Sequence, residues 1–182
     1  MMYWKTFNFR THLRTLSVFS SVSYTPIAKN ILLAAKEDGI READALLGET
    51  LRHSYSLVKS ELDAQLILIP IPSTSRAVRR RGRDFISEIA KRLGSLEKSE
   101  VRYILRHNRS VRDQSRLNAN ARFENLSGAF SVASQAGRCA EVLLVDDLVT
   151  TGATLNEANR ALTIAGFTVR GAITACVALP LR

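Results

Sequence analysis

The feature that most constrains this fold is an apolar run that ends in two adjacent carboxylates. Residues 142–145 read Val-Leu-Leu-Val, and Asp146 and Asp147 follow directly. A strand that is apolar at every position is buried on both faces, which is typical of the parallel sheet of an α/β protein. We therefore predict an α/β fold with a mainly parallel, twisted sheet flanked by helices, in which this strand ends at the acid pair.

A short loop rich in hydroxyl groups follows the acid pair and leads into a helical pattern. In open α/β sheets, ligands bind beyond the carboxyl ends of the strands. Backbone N–H groups, hydroxyls and a helix N-terminus converge in such a loop and favour an anion. Carboxylates that accept hydrogen bonds from vicinal hydroxyls, beside a phosphate-binding loop, predict a site for a ribose 5-phosphate. The predicted phosphate-binding residues are Thr150, Thr151, Gly152, Ala153 and Thr154.

Two other interpretations also fit this stretch. An apolar run that ends in acidic residues also describes the Walker B strand of an ATPase, but the Gly-Lys pair of the companion phosphate loop occurs nowhere in the chain. The other interpretation is a buried strand with a solvated acidic end and no ligand.

Composition favours one domain and anionic partners. The chain has 182 residues, 46% of them hydrophobic, which suits a single domain over residues 1–182 with a sizeable core. No stretch is long and apolar enough to cross a membrane. The net charge of +9 indicates a polyphosphate ligand or a nucleic acid, without choosing between them. Cys139 and Cys176 give no zinc spacing and no disulfide framework, so a reducing, cytoplasmic location is expected.

Residues 1–60 are predicted to supply an arm, a strand and two helices. The arm mixes aromatic and basic side chains, which suits single-stranded nucleic acid or simple coverage of the core. Alternating apolar and hydroxyl residues over 16–24 predict a half-exposed strand. Thr25 and Pro26 predict a helix that ends at Gly39, and a second helix is expected over 41–59. The side chains predicted to face inward are Ile27, Ile31, Leu32, Ala35, Ala45, Leu46, Leu51 and Leu57.

A second apolar strand precedes a dense cluster of arginines. Residues 66–69 read Leu-Ile-Leu-Ile, and a helix is predicted over 85–93. Arginine suits bidentate contact with phosphate, whether that phosphate belongs to a small ligand or to a nucleic acid. The arginines are Arg76, Arg79, Arg80, Arg81 and Arg83, and the helix should face inward through Phe85, Ile86, Ile89, Ala90 and Leu93.

The segment 106–125 is polar and rich in Arg and Asn. A stretch of this length inside a compact domain is usually functional or mobile. His107 within it is a candidate acid or base, although an exposed loop histidine explains it as well. Strands are expected over 101–105 and 128–132, followed by a turn over 134–138, a helix over 155–165 and a strand over 168–179.

Residues 141–155 resemble the phosphoribosyl pyrophosphate (PRPP) motif of type I phosphoribosyltransferases, which is an apolar strand, two acidic residues and Thr-Thr-Gly-x-Thr. The resemblance implies that family's fold, with a small N-terminal hood, and a site in which Asp146 and Asp147 hold the ribose 2′- and 3′-hydroxyls. It implies that residues 150–154 bind the 5′-phosphate, and that 106–125 closes over the site and excludes water. Mg²⁺ would arrive through PRPP, with no direct metal ligand from the protein. The segment implied to contact the pyrophosphate is Ser73, Thr74, Ser75 and Arg76.

Over most of residues 24–179 the chain is also similar to the ComF family, the competence-associated relatives of amidophosphoribosyltransferases. The matching positions are Tyr24, Lys36, 69–72, Arg81, Gly82, Arg106, Arg109, Gln114, Leu117, Arg122, Asn125 and 128–130. Among them, the residues assigned by this resemblance to the flexible loop are Arg109, Gln114 and Arg122.

The chain departs from the ComF pattern in two ways. No cysteine precedes Cys139, so the family's zinc-binding segment is expected to be absent. Arg83 and Asp84 stand where the family has an aromatic residue and Asn. The N-terminal cysteine nucleophile that the glutamine-hydrolysing half of amidophosphoribosyltransferases needs is also missing.

Three functions follow from the resemblance. The first is an enzyme that transfers phosphoribosyl from PRPP to a nitrogen acceptor and releases pyrophosphate, although nothing in the sequence names the acceptor. The second is a non-catalytic DNA-uptake factor that binds single-stranded DNA or a competence helicase. The net charge of +9 is the sequence feature that favours this function. The third is a PRPP- or nucleotide-sensing regulator on the same fold. The sequence leaves the choice open, and the oligomeric state with it.

Overall fold

The fold is built around a five-stranded sheet. The computed structural model describes residues 4–13, 16–62, 66–108, 128–133 and 139–179. Its strands are β1 (Phe9–Leu13), β2 (Leu16–Ser23), β3 (Ile67–Pro70), β4 (Leu105–His107), β5 (Phe130–Val132), β6 (Glu141–Val149) and β7 (Thr168–Val177). Its helices are α1 (Pro26–Lys36), α2 (Arg41–Glu61), α3 (Ser75–Arg81), α4 (Phe85–Glu97) and α5 (Ala153–Ile164).

The central sheet has the strand order β1-β2-β7-β6-β3. Strands β2, β7, β6 and β3 are parallel, and β1 runs antiparallel to β2 at one edge. This arrangement confirms the α/β class and the mainly parallel sheet. The N-terminal segment, predicted as a small hood, supplies β1, β2, α1 and α2, and its strands are continuous with the central sheet.

The sheet is covered on both faces. Helices α1, α2 and α4 share one buried cluster with Leu143 and Val145 of β6. Helix α5 and the small antiparallel sheet β4–β5 share a second cluster with Val142 and Leu144. Because both faces of β6 are packed, its side chains are apolar at successive positions, as the sequence predicts.

Helix α1 begins where the sequence predicts and ends three residues before the predicted stop. Thr25 is the N-cap, its Oγ1 accepting a 3.2 Å hydrogen bond from the Ala28 N–H, and Pro26 opens the helix. The helix ends at Lys36 rather than at Gly39. Ile27, predicted to face the core, is 44% exposed. The buried stripe is instead Ala28, Leu32 and Ala35.

The core face of helix α2 agrees only in part with the predicted one, since Leu51 is buried as predicted. Ala45 and Leu46, predicted to be inward, are only half-buried. The buried stripe includes Thr50 and Ser54, whose hydroxyls bond to backbone carbonyls one turn earlier. Because the core face contains these hydroxyls, an apolar pattern alone misplaces it. The apolar members of the stripe are Ala43, Leu47, Leu51, Tyr55 and Val58.

Strand β2 is almost completely buried, so the prediction of a half-exposed strand is wrong. It lies between β1 and β7, and its hydroxyls find partners inside the protein. Ser20 bonds to Thr174 over 2.7 Å, and Ser21 bonds to Ser54 over 2.6 Å. Hydroxyl groups that satisfy each other can be buried at little cost, which the alternation of residue types does not reveal.

The strand predicted over 101–105 is broken in two. Val101 makes a single bridge to Leu68, and the chain forms β4 only from Leu105, paired with β5. Helix α5 holds β5 through side chains, because Glu157 accepts from the Phe130 N–H and Arg160 donates to the Phe130 carbonyl, each over 3.4 Å. Helix α4 agrees with the prediction, and all five of its predicted inward side chains are buried.

Some predicted segments fall outside the described residues. They include the turn over 134–138 and most of the polar segment 106–125. Within the described ranges, no helix combines the length and the apolar character that a membrane crossing requires.

Candidate functional site

Strand β6 carries the acid pair within its length rather than beyond its end. The strand continues to Val149, because Asp146 remains paired with Thr174 of β7 and Leu148 with Cys176. The prediction that the strand ends at the acid pair is therefore wrong. Backbone pairing with β7 holds these residues in the sheet, and Asp147 is left only 8% exposed.

The Asp147 carboxylate forms an ion pair with Lys36, the last residue of α1. The ammonium Nζ donates to Oδ2 of Asp147 over 2.6 Å. Both side chains are largely removed from water, since only 28% of the Lys36 side-chain surface and 11% of the Asp147 side-chain surface are exposed. Burial of either charge alone would be costly, so each residue depends on the other.

The two aspartates have unequal proton affinities. Burial opposes ionisation of Asp147, but the charge and hydrogen bond of Lys36 outweigh it and hold the pKa of Asp147 below its usual range. Burial, and then the negative charge of Asp147, raise the pKa of Asp146 well above its usual range. Oδ1 of Asp146 also accepts a 2.9 Å hydrogen bond from the Asp147 N–H. Lys36 thus favours the ionised form of Asp147, whereas burial and the neighbouring charge disfavour ionisation of Asp146.

Two further ionisable side chains lie near this pair. Burial, and then the charge of Asp147, raise the pKa of Tyr24. The same causes raise the pKa of Cys176 to about 12. Both groups therefore remain neutral at physiological pH and add no charge to the site. Burial disfavours the Lys36 ammonium, but Asp147 outweighs this effect and raises the pKa of Lys36.

The predicted phosphate-binding loop connects β6 to α5. Thr151 Oγ1 accepts a 3.2 Å hydrogen bond from the Ala153 N–H. Gly152 has a φ of +73°, and a Cβ at this position would lie 2.4 Å from a methyl carbon of Leu13. The positive φ therefore favours glycine, and a larger residue would also have to displace the Leu13 side chain. Helix α5 begins directly after this loop, so its first backbone N–H groups lie beside the loop. A helix N-terminus in this position suits an anion. The other predicted loop residues, Thr150 and Thr154, are half-buried.

The predicted pyrophosphate segment leaves the sheet at the same edge as this loop. Strands β3 and β6 are parallel neighbours with Pro70 opposite Val145. The Ile71 N–H extends this pairing with a 2.9 Å hydrogen bond to the Val145 carbonyl. Because parallel strands end at a common edge, the fold brings residues 73–76 and 146–154 to one end of the sheet.

Two residues of the predicted pyrophosphate segment, Ser73 and Thr74, make local hydrogen bonds. Ser73 Oγ donates to Asp84 over 2.9 Å. Thr74 caps α3, its Oγ1 accepting from the Ala77 N–H over 3.3 Å. The next two residues, Ser75 and Arg76, are exposed in the first turn of α3.

Two of the clustered arginines bind the end of α1. Arg80 and Arg81 both donate to the Glu37 carboxylate, at 2.9 and 2.6 Å. Glu37 directly follows Lys36, so consecutive residues contact the arginine cluster and the acid pair. The structure gives Arg80 and Arg81 a role in holding α3 against α1.

The departure from the ComF pattern at positions 83 and 84 is matched by partners within the chain. Arg83 bridges Asp44 and Glu88, at 2.7 and 2.8 Å. Asp84 accepts hydrogen bonds from Ser73 and Ser87. Of the five clustered arginines, the two that form no ion pair with a described residue are Arg76 and Arg79, and both are exposed.

His107 belongs to strand β4 and is half-buried, so the prediction of an exposed loop histidine is wrong. Its Nε2 donates to the Pro72 carbonyl over 2.9 Å, and its ring packs 4.8 Å from the Phe130 ring. Nδ1 is buried and meets no partner among the described residues. The ring thereby links β4 to the start of the predicted pyrophosphate segment.

Three predicted loop residues, Arg109, Gln114 and Arg122, lie outside the described residues. Among the residues that are described, no group of three or more His, Cys, Asp or Glu side chains could hold a metal ion.

Sequence reasoning missed Lys36 and Glu37 as site residues. Lys36 is visible in the sequence only as a position shared with the ComF family. One signal could have found it, because Lys36 follows Leu32 by four residues and so extends the buried stripe of α1 with a charge. A lysine on a buried stripe requires an acidic partner.

The fold and the site define an α/β protein with an acid pair and a glycine-constrained, hydroxyl-rich loop at one end of a mainly parallel sheet. The sequence profile of the phosphoribosyl transferase domain matches residues 77–179, which is more than half of the 182-residue chain. The chain belongs to this family. The matched region contains the acid pair and its loop, whereas Lys36 and residues 73–76 precede it.

Two solved structures are similar to the chain at low identity. Adenine phosphoribosyltransferase from Saccharomyces cerevisiae, complexed with an imino-altritol bisphosphate and adenine, has 13% identity and a TM-score of 0.44, covering 76% of this chain and 70% of its own. Adenine phosphoribosyltransferase from Leishmania donovani has 9% identity and a TM-score of 0.46, covering 87% and 83%. No curated protein matches the sequence.

Proposed function

We propose that this chain binds PRPP and transfers its phosphoribosyl group to a nitrogen acceptor, as a phosphoribosyltransferase of the ComF type. The observation that carries the proposal is the continuous unit β6–loop–α5. It joins the acid pair to a glycine-constrained, hydroxyl-rich loop inside the region that matches the family. Acidic oxygens suit vicinal ribose hydroxyls, and the helix N-terminus suits a phosphate.

Asp146 and Asp147 would hold the ribose, and residues 150–154 would hold the 5′-phosphate. Fixing both ends of the sugar orients C1 toward the leaving pyrophosphate and the acceptor. The support is that Asp147 is fixed by Lys36 while the loop is constrained by Gly152. A site whose groups are already fixed loses less entropy when the ligand binds.

The pyrophosphate would lie toward residues 73–76, at the shared end of β3 and β6. In the reaction, the bond from C1 to the pyrophosphate oxygen breaks with the electron pair going to pyrophosphate. The acceptor nitrogen then forms its bond to C1 and loses a proton. Magnesium, when bound to the phosphate oxygens, would supply charge neutralisation for the leaving group. The chain's own contribution there is Arg76, which is exposed at the start of α3.

Calorimetry with Mg²⁺-PRPP tests the binding step. The wild-type protein should bind, and the double variant Asp146→Asn/Asp147→Asn should lose binding while keeping its fold by circular dichroism. Asp38→Asn is the matched control, because Asp38 is an exposed acid just beyond α1. Unchanged affinity in the double variant, or absence of binding in the wild type, would overturn the proposal.

Turnover needs a separate assay. Pyrophosphate release should be measured with wild-type protein, Mg²⁺-PRPP and a panel of amines and nitrogen bases. Release that depends on one acceptor establishes the transferase. Binding with no release across the panel would favour a PRPP-sensing regulator on the same fold.

A second candidate function is single-stranded DNA binding in a competence role. The observation in its favour is the charge of +9 together with Arg76 and Arg79, which are exposed on α3 and form no ion pair with a described residue. If these two contact DNA phosphates, Arg76→Gln/Arg79→Gln should reduce the slope of log K against log salt by about 1.4, at roughly 0.7 for each single-strand phosphate contact. Lys29→Gln, on α1, is the control. A slope that is shallow in the wild type counts against this function.

A further inference from the structure

Lys36 occupies an unusual position for a lysine, at the end of a helix and against the central strand of the sheet. Its ammonium lies 2.6 Å from Oδ2 of Asp147, and most of its side chain is removed from water. Asp147 uses Oδ2 for this ion pair, which leaves Oδ1 outside it. A cation therefore already accompanies the acid pair, and the protein itself supplies it.

The position of Lys36 is fixed from two sides. Helix α1 docks on the sheet through Ala28, Leu32 and Ala35, all of which are buried. The residue after Lys36 is Glu37, which the arginines of α3 hold by hydrogen bonds. The backbone of Lys36 is therefore held at a place from which its side chain reaches Asp147.

The charge of Lys36 matters because the proposed ligand is a polyanion. Two adjacent carboxylates would repel the phosphates of PRPP, and one ammonium at contact distance cancels the charge of one of them. Two other charged groups among the described residues act on the Lys36 ammonium. The charge of Asp146 raises the pKa of Lys36, and the charge of Arg81 lowers it. Tyr24 and Cys176 complete the surroundings as neutral groups.

We infer that Lys36 is a positioning residue of the PRPP site, which orients the Asp147 carboxylate toward the ribose hydroxyls and lowers the negative charge that the phosphates meet. This inference rests on the proposed PRPP binding. It extends that function by a residue outside the family match, which begins at residue 77.

A purely structural ion pair is the alternative. It predicts that loss of Lys36 lowers stability and that any loss of affinity is the same at every Mg²⁺ concentration. A positioning role predicts that the affinity lost depends on Mg²⁺, since added cation replaces part of the missing charge. It also predicts rescue by arginine, which restores the charge beside Asp147.

The experiment compares PRPP affinity by calorimetry over a range of Mg²⁺ concentrations in four proteins. These are the wild type, Lys36→Met, Lys36→Arg and the control Lys29→Met. Lys29 lies on the same helix and is exposed. Thermal unfolding without ligand confirms that each variant is folded, and Lys36→Gln replaces the methionine variant if that protein does not fold.

We expect Lys36→Met to weaken PRPP binding by about tenfold or more, as is typical when a group that orients a ligand-binding carboxylate is removed. The loss of PRPP affinity should become smaller as the Mg²⁺ concentration rises. Lys36→Arg should recover most of the affinity, and Lys29→Met should bind PRPP as tightly as the wild type. Affinity in Lys36→Met equal to that of Lys29→Met overturns the inference. So does a loss that is constant with Mg²⁺ and is not rescued by arginine. Wild-type protein that binds no PRPP overturns the proposed function, and the role of Lys36 with it.

Discussion

Arg81 of α3 donates two hydrogen bonds to one oxygen of Glu37, at 2.6 and 3.0 Å, just beyond the last residue of α1. Because Glu37 follows Lys36, and Lys36 binds Asp147, two consecutive residues join the arginine segment to the acid pair. The end of α1 thus sets the relative positions of the pyrophosphate and ribose sides of the proposed site.

Glu37→Gln should lower the free energy of unfolding at neutral pH by less than about 1 kcal/mol, because the pair is partly exposed and solvent screens it. The hydrogen bond from Arg81 holds the pKa of Glu37 below its usual range, against the effect of burial. The stabilisation is therefore present above the usual pKa of glutamate and is lost as the pH falls through the lowered value. Urea denaturation at a series of pH values should show the difference narrowing toward acid, and a constant difference would contradict this account.

Asp147→Asn should destabilise the protein far more than Asp146→Asn. The first change leaves the Lys36 ammonium partly buried without its counter-charge, which we expect to cost about 3 kcal/mol. The second removes a carboxyl whose ionisation is already disfavoured by burial and by the charge of Asp147, so the cost should stay below about 1 kcal/mol. Chemical denaturation measures both. Lys36→Met/Asp147→Asn should recover part of the larger loss, and equal losses for the two single variants would show that the aspartates are equivalent.

The raised pKa of Asp146 predicts a pH dependence of the opposite sign to that of Glu37. The folded protein holds a proton that the unfolded chain releases, so stability is full below the usual carboxyl pKa and falls as the pH rises through the raised value. Asp146→Asn should remove this decline from the plot of unfolding free energy against pH. If the decline survives in the variant, another group is responsible for it.

Gly152→Ala should destabilise the protein by about 1–3 kcal/mol, because alanine is strained at positive φ and its Cβ must displace the Leu13 side chain. PRPP affinity should fall with it. Gly48→Ala is the matched control, since no atom lies within 4 Å of a Cβ at that helical position. That change should stabilise the protein by about 0.5–1 kcal/mol. Unfolding temperatures that rise in both variants would rule out the described constraint at Gly152.

Pattern-based prediction succeeded where one periodicity governs an element. All five side chains predicted to face inward from α4 are buried, and β6 is apolar where both of its faces are covered. It failed on β2 and on part of α2, where hydroxyl groups occupy the core. Ser21 of β2 and Ser54 of α2 form a hydrogen bond with each other. A serine is not predicted to be buried unless the partner that satisfies its hydroxyl is known.

The sequence by itself determined the class of fold and the acid–hydroxyl unit of β6 and its loop, because each depends on residues that are contiguous in the chain. Only the tertiary structure decided that Asp147 pairs with Lys36, across 111 residues, and that Arg80 and Arg81 bind Glu37. Such pairs form only when α1 docks on the sheet and α3 docks on α1. That docking makes Asp146 and Asp147 chemically unequal, although they are adjacent and identical in the sequence.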